Sequence, residues 1–171
     1  MSFTSKHLFA TLLAAACSFG AHGTMLEWPS TPSRLQLSTP YGKLYISPSE
    51  YVYESKLRLD SADLEPEITG MLNISHAFKM PKAHAALVSI NRGDNVCPVM
   101  YRWIVLRADG YKMSPEFGSC SELIKVSAQP GQLTLQTPSR ESSDKIDIYD
   151  YDGKTVKQRS SRKPKKLVAI K

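Results

Sequence analysis

Hydrophobic and polar residues alternate with a period of two along most of the chain beyond residue 50. In YVYESKLRL, the apolar Tyr51, Tyr53, Leu57 and Leu59 fall on one side and the charged residues on the other. This alternation is typical of a strand with one buried and one solvated face. It recurs in EITGMLNIS, LIKVS, QLTLQT and KIDIYDY, whereas AALVSIN and VMYRWIVLR are apolar on both faces and are predicted to be central strands.

Turn signals separate these segments at short intervals. They are Thr39-Pro40-Tyr41-Gly42, Asn91-Arg92-Gly93-Asp94, Ala108-Asp109-Gly110, Gln129-Pro130-Gly131 and Asp152-Gly153. About eight short strands with such spacing predict one all-β domain, an antiparallel β-sandwich or a barrel-like fold.

Two hairpins are predicted in detail. Asp152-Gly153 suits the centre of a two-residue type I′ loop, which would let Val156 pair with Ile146 and Ile148. The second hairpin is expected to join residues 104–107 to residues 111–113 through Ala108-Asp109-Gly110. Phe78 to Lys82, flanked by His76 and His84, is expected to be a loop.

The first 23 residues have the pattern of a secretory signal peptide. Lys6 makes a short basic region, residues 8–19 are apolar, and Ala21-His22-Gly23 offers small residues for cleavage before Thr24. A buried N-terminal helix is the alternative, but no polar face interrupts the run. The run is too short for a membrane span, which needs about 20 residues, and no later segment is long and apolar enough. The sequence therefore predicts export to the periplasm with no membrane span.

The three cysteines are interpreted through this compartment. Cys17 would leave with the signal peptide; its lipidation is the alternative, although Leu13 lies one position too far away for a lipoprotein signal. The remaining Cys97 and Cys120 form an even pair in an oxidising compartment and are predicted to be disulfide-bonded. Zinc would need four ligands, and the chain has no CxxC spacing.

Charge divides the chain into a domain and a tail. Residues 24–153 hold 13 basic and 16 acidic residues, whereas residues 154–171 hold eight basic residues and no acidic one. We expect the β domain to span 24–153 and the last strand and basic tail to span 154–171. The tail is interpreted as a solvated extension, or as a weak contact with an anionic surface. A nucleic-acid partner is not expected, because it would require a basic face interleaved with aromatic residues.

No constellation of catalytic residues is evident. The chain lacks a Gly-x-Ser-x-Gly elbow, and the histidines follow no ligand pattern. Residues 60–67 could supply paired carboxylates for glycoside hydrolysis, but an exposed acidic connection is the favoured interpretation. Residues 150–153 look like part of a calcium loop but lack its other ligands. We expect no catalytic residue, no metal and no cofactor.

The signal peptide, the length of about 148 residues after it, and the segment from Cys97-Pro98-Val99 to Phe117-Gly118-Ser119-Cys120 carry a family resemblance. In these features the chain resembles the periplasmic immunity proteins of type VI secretion lipase effectors of the phospholipase D type. The resemblance implies that the protein binds and inhibits a cognate lipase effector and performs no chemistry itself.

Charge complementarity suggests which residues would bind such a partner. A phospholipase D site holds a lipid phosphate and is electropositive, so an acidic projection would favour association with it. Exposed tyrosines would serve as anchors, since aromatic residues dominate binding hot spots. The predicted partner-binding residues are Asp60, Asp63, Glu65 and Glu67, with Tyr51 and Tyr53 as anchors and Asp150 and Asp152 as a second acidic group, beside Asp147, Tyr149 and Tyr151.

A different class of function is the alternative. An envelope structural or ligand-binding protein would use the basic tail on anionic lipid or on peptidoglycan.

Overall fold

The computed structural model describes residues 33–163, which form twelve strands and one 3₁₀ turn at Val52–Glu54. Sheet A consists of β1 (Gln36–Thr39), β2 (Gly42–Ser47), β3 (Lys56–Leu59) and β4 (Ala62–Asp63). Sheet B consists of β5 (Met71–Met80), β6 (Ala83–Asn91), β7 (Met100–Arg107) and β8 (Gly110–Met113). Sheet C consists of β9 (Lys125–Gln129), β10 (Gln132–Pro138), β11 (Lys145–Tyr151) and β12 (Val156–Arg162).

Each sheet is an antiparallel meander in which strands adjacent in sequence are also adjacent in space. No helix within residues 33–163 is long and apolar enough to cross a membrane. The predicted signal peptide 1–23, Cys17 and residues 164–171 of the basic tail lie outside the described residues.

Sheet B is the middle layer of the molecule. Successive residues of β6 and β7 point to opposite faces, so Leu87 and Trp103 pack with residues of sheet C, whereas Val88 and Ile104 pack with residues of sheet A. All four of these side chains are fully buried. The two core clusters are therefore separate, and the prediction that AALVSIN and VMYRWIVLR form central strands is confirmed.

The all-β class is confirmed, but the prediction of a single eight-stranded sandwich is wrong. There are twelve strands in three sheets. Strands as short as β1 and β4, with four and two residues, contain too few positions for alternation to be recognised. The sequence pattern also does not predict the third layer, because alternation indicates that a strand has a buried face but does not indicate which sheet covers it.

A β-bulge in β5 redirects its apolar side chains. The register with β6 shifts between Ile74 and His76, so Leu72 and Ile74 pack towards sheet A, while Phe78 packs against the cluster shared with sheet C. The predicted loop from Phe78 to Lys82 is wrong, because β5 continues to Met80 and a tight turn follows.

The segment 51–59 was predicted as one strand, but only its second half is extended in a sheet. β3 begins at Lys56, and the preceding residues form the 3₁₀ turn. Leu57 is buried, whereas Tyr51 and Tyr53 are exposed, so the apparent alternation of the tyrosines with the leucines does not reflect one buried face.

The hairpin between β11 and β12 turns one residue later than predicted. Asp152 N donates to Thr155 O, which places Gly153 and Lys154 at the centre of the loop. Gly153 has φ +92°, and glycine at the first central position is typical of type II′ hairpins. Val156 therefore pairs with Tyr151 and not with Ile146 or Ile148. The predicted β7–β8 hairpin is confirmed, with Arg107 opposite Gly110.

The predicted disulfide is present between Cys97 and Cys120, whose Cα atoms lie 4.6 Å apart. It links the segment before β7 to the segment after β8. Next to it, Tyr101 and Phe117 exchange two backbone hydrogen bonds, of 2.8 and 2.9 Å. The disulfide, which we call the Cys97–Cys120 clamp, therefore fixes this extended segment beside the start of β7.

Candidate partner-binding surface

The 3₁₀ turn beside sheet A carries the largest group of exposed apolar side chains that are consecutive in the described sequence. Tyr51, Val52 and Tyr53 are 64%, 56% and 48% exposed. The turn has no buried residue. We call residues 51–54 the aromatic turn. Its backbone is held by the bond from Glu54 N to Tyr51 O.

Tyr53 is positioned by the loop that follows β6. A Cβ on Gly93 would lie 3.0 Å from the Tyr53 ring, so the ring packs directly against a residue that has no side chain. Gly93 has φ +79°, which glycine adopts without strain. The same loop exposes Val96 to 68%. The loop and the aromatic turn thus contact each other through Gly93 and Tyr53.

A polar groove of about 390 Å³ adjoins the aromatic turn. Glu54 and Glu67 contribute carboxylates to it, and Lys56 pairs with Glu67 at 3.1 Å. Both members of this pair are more than two-fifths exposed, so it contributes little stability. The groove is lined by Ser47, Pro48, Ser49, Glu54, Lys56, Glu67 and Thr69.

Asp60 directly follows the last residue of β3, and Asp63 lies in β4 opposite Arg58. Asp60 has φ +53° in the β3–β4 turn, and its Oδ1 accepts a hydrogen bond from Lys43 N at 2.9 Å. Asp63 pairs with Arg58 at 2.8 Å. Asp60 therefore ties the β3–β4 turn to the start of β2, and the charge of Asp63 is balanced.

Glu65 differs from its acidic neighbours. Its backbone N donates to Tyr111 Oη at 2.7 Å, which anchors the segment to β8 of the central sheet. The buried Leu64 beside it anchors the segment to the core. No ion pair involves the Glu65 carboxylate within residues 33–163, and the residue is exposed.

The second predicted acidic group, Asp150 and Asp152, belongs to sheet C on the far side of the central sheet. Asp150 accepts hydrogen bonds from Thr134, Gln132 and Arg159. Burial raises the pKa of Asp150, but these bonds outweigh it and the pKa is lowered. The backbone N–H groups of Thr155 and Lys154 lower the pKa of Asp152 to about 2. Asp152 thus orders the loop of the β11–β12 hairpin, and Asp150 links β11 to its two neighbours, β10 and β12.

Three other residues near Asp150 are buried. Tyr149 and Tyr151 are 5% and 1% exposed and belong to the core between sheets B and C. Asp147 is also buried and accepts a hydrogen bond from Ser160 Oγ at 2.6 Å. None of the three presents its side chain to a partner in this structure.

The structure therefore divides the predicted partner-binding residues into separate places. Tyr51, Tyr53 and Glu67 lie together at the aromatic turn and its groove. Asp60 and Asp63 lie in the β3–β4 hairpin, Glu65 lies in the segment between β4 and Glu67, and Asp150 and Asp152 lie in the opposite outer layer.

Two features near the aromatic turn were not predicted from the sequence. One is the exposed Val96. The other is the pair formed by Arg92 and Glu116, which is bidentate with distances of 2.6 and 2.7 Å. The Arg92 hydrogen bond is the main cause of the lowered pKa of Glu116. Only the turn signal at residues 91–94 could have drawn attention to this loop, because Arg92 and Glu116 are distant in sequence.

The histidines are not arranged for joint chemistry. His76 is opposite Leu87 in the sheet and His84 is opposite Leu106, and these leucines belong to different core clusters. Burial, followed by the charge of Arg34, lowers the pKa of His76. Within residues 33–163, no group of three or more His, Cys, Asp or Glu side chains is placed to hold a metal ion.

In comparisons with known proteins, no family model, no curated protein and no solved structure matches the chain.

Proposed function

We propose that the protein is a periplasmic immunity protein that binds and inhibits a cognate type VI secretion lipase effector of the phospholipase D type. It performs no chemistry and acts by occupying the effector's surface. The resemblance of the signal segment, the chain length and the Cys97–Cys120 segment supports this proposal.

The observation that carries the proposal is the exposure of Tyr51, Val52 and Tyr53 in one short turn. A large aromatic side chain that is exposed to solvent lacks the favourable free energy that burial of its apolar surface in a core would give. Tyrosine has few rotatable bonds and a polar hydroxyl, so it is favoured in binding hot spots. The aromatic turn is therefore the centre of the proposed interface.

The charges beside the turn suit a cationic partner surface. Glu54 lines the groove without an ion pair among the described residues, whereas Lys56 balances Glu67. Glu65, two residues before Glu67, also has no ion pair among the described residues. Glu54 and Glu65 would speed the association with an electropositive lipase surface and would help to fix the orientation of the two proteins.

The first experiment measures binding of the mature protein to a type VI secretion lipase of the phospholipase D type, by calorimetry, together with inhibition of lipid hydrolysis; a lipase encoded next to the protein is the first choice of partner. We expect the double variant Tyr51→Ala/Tyr53→Ala to weaken binding by about a hundredfold, as expected for two hot-spot residues. Leu123→Ala is the matched control, since Leu123 is 53% exposed and lies in neither the turn nor the groove. Equal affinity of the double variant and the control would exclude the aromatic turn.

A charge experiment separates the acidic residues. Reversal of Asp63, Glu65 and Glu67 to Lys is expected to weaken binding while the fold is kept. Because Asp63 and Glu67 are already paired, the single variant Glu65→Lys is expected to account for most of the loss. An affinity unchanged in the triple variant would exclude the acidic segment, and a lipase that binds none of these proteins would overturn the proposed function.

The alternative function also has an observation in its favour. Six of the seven residues of β12 are exposed, and Lys157, Arg159 and Arg162 are among them. An envelope protein would use this basic region and the tail on anionic lipid or peptidoglycan. Co-sedimentation of the mature chain with phosphatidylglycerol vesicles and with peptidoglycan, without lipase binding, would favour this function.

A further inference from the structure

β12 forms an outer edge of sheet C. The hydrogen bonds at the two ends of its ladder show which of its residues bond to β11 and which point outward. Asp152 N donates to Thr155 O and Lys163 N donates to Asp144 O, at the two ends of the β11–β12 ladder. In an antiparallel pair, every second residue exchanges both bonds with its partner. The residues whose N–H and C=O groups point away from β11 are therefore Val156, Gln158, Ser160 and Arg162.

This edge is the longest uninterrupted one among the described strands. The edge strands β1, β4 and β8 have four, two and four residues, and β9 has five. β5 is longer, but a bulge interrupts it, and Ile74 N donates to Arg34 O. β12 instead pairs with β11 over seven consecutive residues without a register shift, and it contains no proline.

The side chains of β12 determine which strand could pair with it. Lys157, Arg159 and Arg162 are exposed, Lys163 follows directly, and residues 153–163 contain no acidic residue. Of these cations, Arg159 pairs with Asp150 at 3.1 Å. A second copy of β12 would place like charges opposite one another, which is destabilising. An acidic strand would instead meet an opposite charge across the new pair.

We propose that the outer edge of β12, which no strand within residues 33–163 covers, binds an acidic, extended segment of a partner protein, which joins sheet C as a fifth strand. The main-chain groups of the four outward-pointing residues would provide affinity, and the basic side chains would select for Glu and Asp at alternate positions. The same charges discourage pairing between copies. The site lies in sheet C, across the central sheet from the aromatic turn, and the proposal does not depend on the partner being a lipase.

The binding test uses the whole mature chain and a fluorescent peptide, acetyl-TEVEVTEVET-amide, followed by anisotropy at low and at physiological salt. A peptide with every Glu replaced by Lys is the control, and we expect it not to bind. Gln158→Pro removes an outward N–H without removing a bond to β11. We expect it to weaken binding by about tenfold, whereas Gln158→Ala, which keeps the N–H, binds like the parent protein.

Lys157→Glu/Arg162→Glu is a second, independent variant that leaves the backbone unchanged. We expect it to weaken binding of the Glu peptide by about tenfold and to permit binding of the Lys peptide. Equal binding of the Glu peptide by the parent protein and this variant would overturn the proposal. So would equal binding by Gln158→Pro and Gln158→Ala when both are folded.

Amide hydrogen exchange distinguishes strand addition from simple charge attraction. The peptide should slow exchange at the outward-pointing amides of Val156, Gln158, Ser160 and Arg162, and leave those of Lys157, Arg159 and Ser161 nearly unchanged. Equal exchange rates at the two sets of amides, together with binding to phosphatidylglycerol vesicles as strong as binding to the peptide, would identify a general anion surface and overturn the proposal. If exchange at the outward-pointing amides slowed with rising protein concentration in the absence of peptide, the occupant of the edge would be a second copy of the chain. That result would also overturn the proposal.

Discussion

At the scale of single residues, several aspartates accept hydrogen bonds from backbone N–H groups close to them. Asp60 accepts from Lys43 N, Asp94 accepts from Val96 N, and Asp152 accepts from the N–H groups of Lys154 and Thr155. A short carboxylate next to a turn can reach nearby amides, which is why Asp is frequent there. An acidic loop in sequence is therefore weaker evidence for a cationic partner than its charge suggests.

The lowered pKa of Asp152 gives a pH prediction. Its folded pKa of about 2 lies below the ordinary value of 3.8, so its contribution to stability is complete above pH 3.8 and is lost as the pH falls through about 2. In Asp152→Asn, which removes the charge, the unfolding midpoint should lie below that of the parent protein near neutral pH. The gap should close as the pH approaches 2.

Thermal unfolding from pH 2 to pH 7 checks this prediction. Asp109→Asn, in the turn of the β7–β8 hairpin, is the matched control. A gap between Asp152→Asn and the parent protein that stays constant over the whole range would show that the carboxylate charge does not stabilise the hairpin.

At the scale of elements, tight backbone approaches join strands that the sequence pattern treats as separate. Gly70 has φ +145°, and a Cβ there would lie 2.9 Å from Asn91 O. Its N donates to Ser55 O, which connects the segment before β5 to the segment before β3. The glycine in EITGMLNIS therefore marks a close approach between backbones, while the bulge in β5 occurs further along, at Ser75.

Gly70→Ala is expected to destabilise the protein by about 2 kcal/mol or more, because the new methyl group meets a backbone carbonyl in a strained conformation. Gly131→Ala is the matched control. Its φ is +79°, but nothing lies within 4 Å of the added Cβ, so a loss of about 1 kcal/mol is expected. Urea unfolding compares the two, and equal losses would show that the contact with Asn91 is easily relieved.

The Cys97–Cys120 clamp supports a second prediction at this scale. Its cysteines are separated by 23 residues, for which chain entropy predicts a stabilisation of about 3 kcal/mol. Cys97→Ser/Cys120→Ser should lower stability by about this amount in urea unfolding and keep partner affinity wherever it stays folded. A variant that remained fully stable yet lost binding would show that the disulfide belongs to the interface.

At the scale of the whole molecule, the central sheet couples the two outer layers. Sheet A and sheet C each pack on one face of sheet B, so each outer sheet depends on the middle layer for its core. Such an arrangement favours a single unfolding transition. Leu57 of sheet A and Leu135 of sheet C are both almost fully buried, on opposite sides of this layer.

Leu57→Ala and Leu135→Ala should each destabilise the whole protein by about 2–5 kcal/mol. Trp103 reports on the side facing sheet C, and its fluorescence can be isolated in a Trp28→Phe background. We expect Leu57→Ala to lower the midpoint seen by Trp103 as much as the midpoint seen by circular dichroism. A Trp103 midpoint unchanged by Leu57→Ala would indicate that sheet A unfolds on its own.

The sequence by itself determined the all-β class, the two central strands, the disulfide and the β7–β8 hairpin. These depend on local alternation, turn residues and an even cysteine count, which are present in the chain before it folds. The twelve strands in three layers, the 3₁₀ turn and the one-residue shift of the last hairpin depended on tertiary structure. Short strands carry little pattern, and a buried face does not specify the sheet that covers it.

The candidate surface shows the same division. The sequence identifies Tyr51 and Tyr53 as anchors, but the same pattern is equally compatible with core positions. In the structure they lie at a 3₁₀ turn that buries none of its residues, so both are exposed. Tyr149 and Tyr151 show similar alternation and lie in the core. Only tertiary structure decides between these outcomes, because the exposure of an aromatic side chain depends on what packs against it.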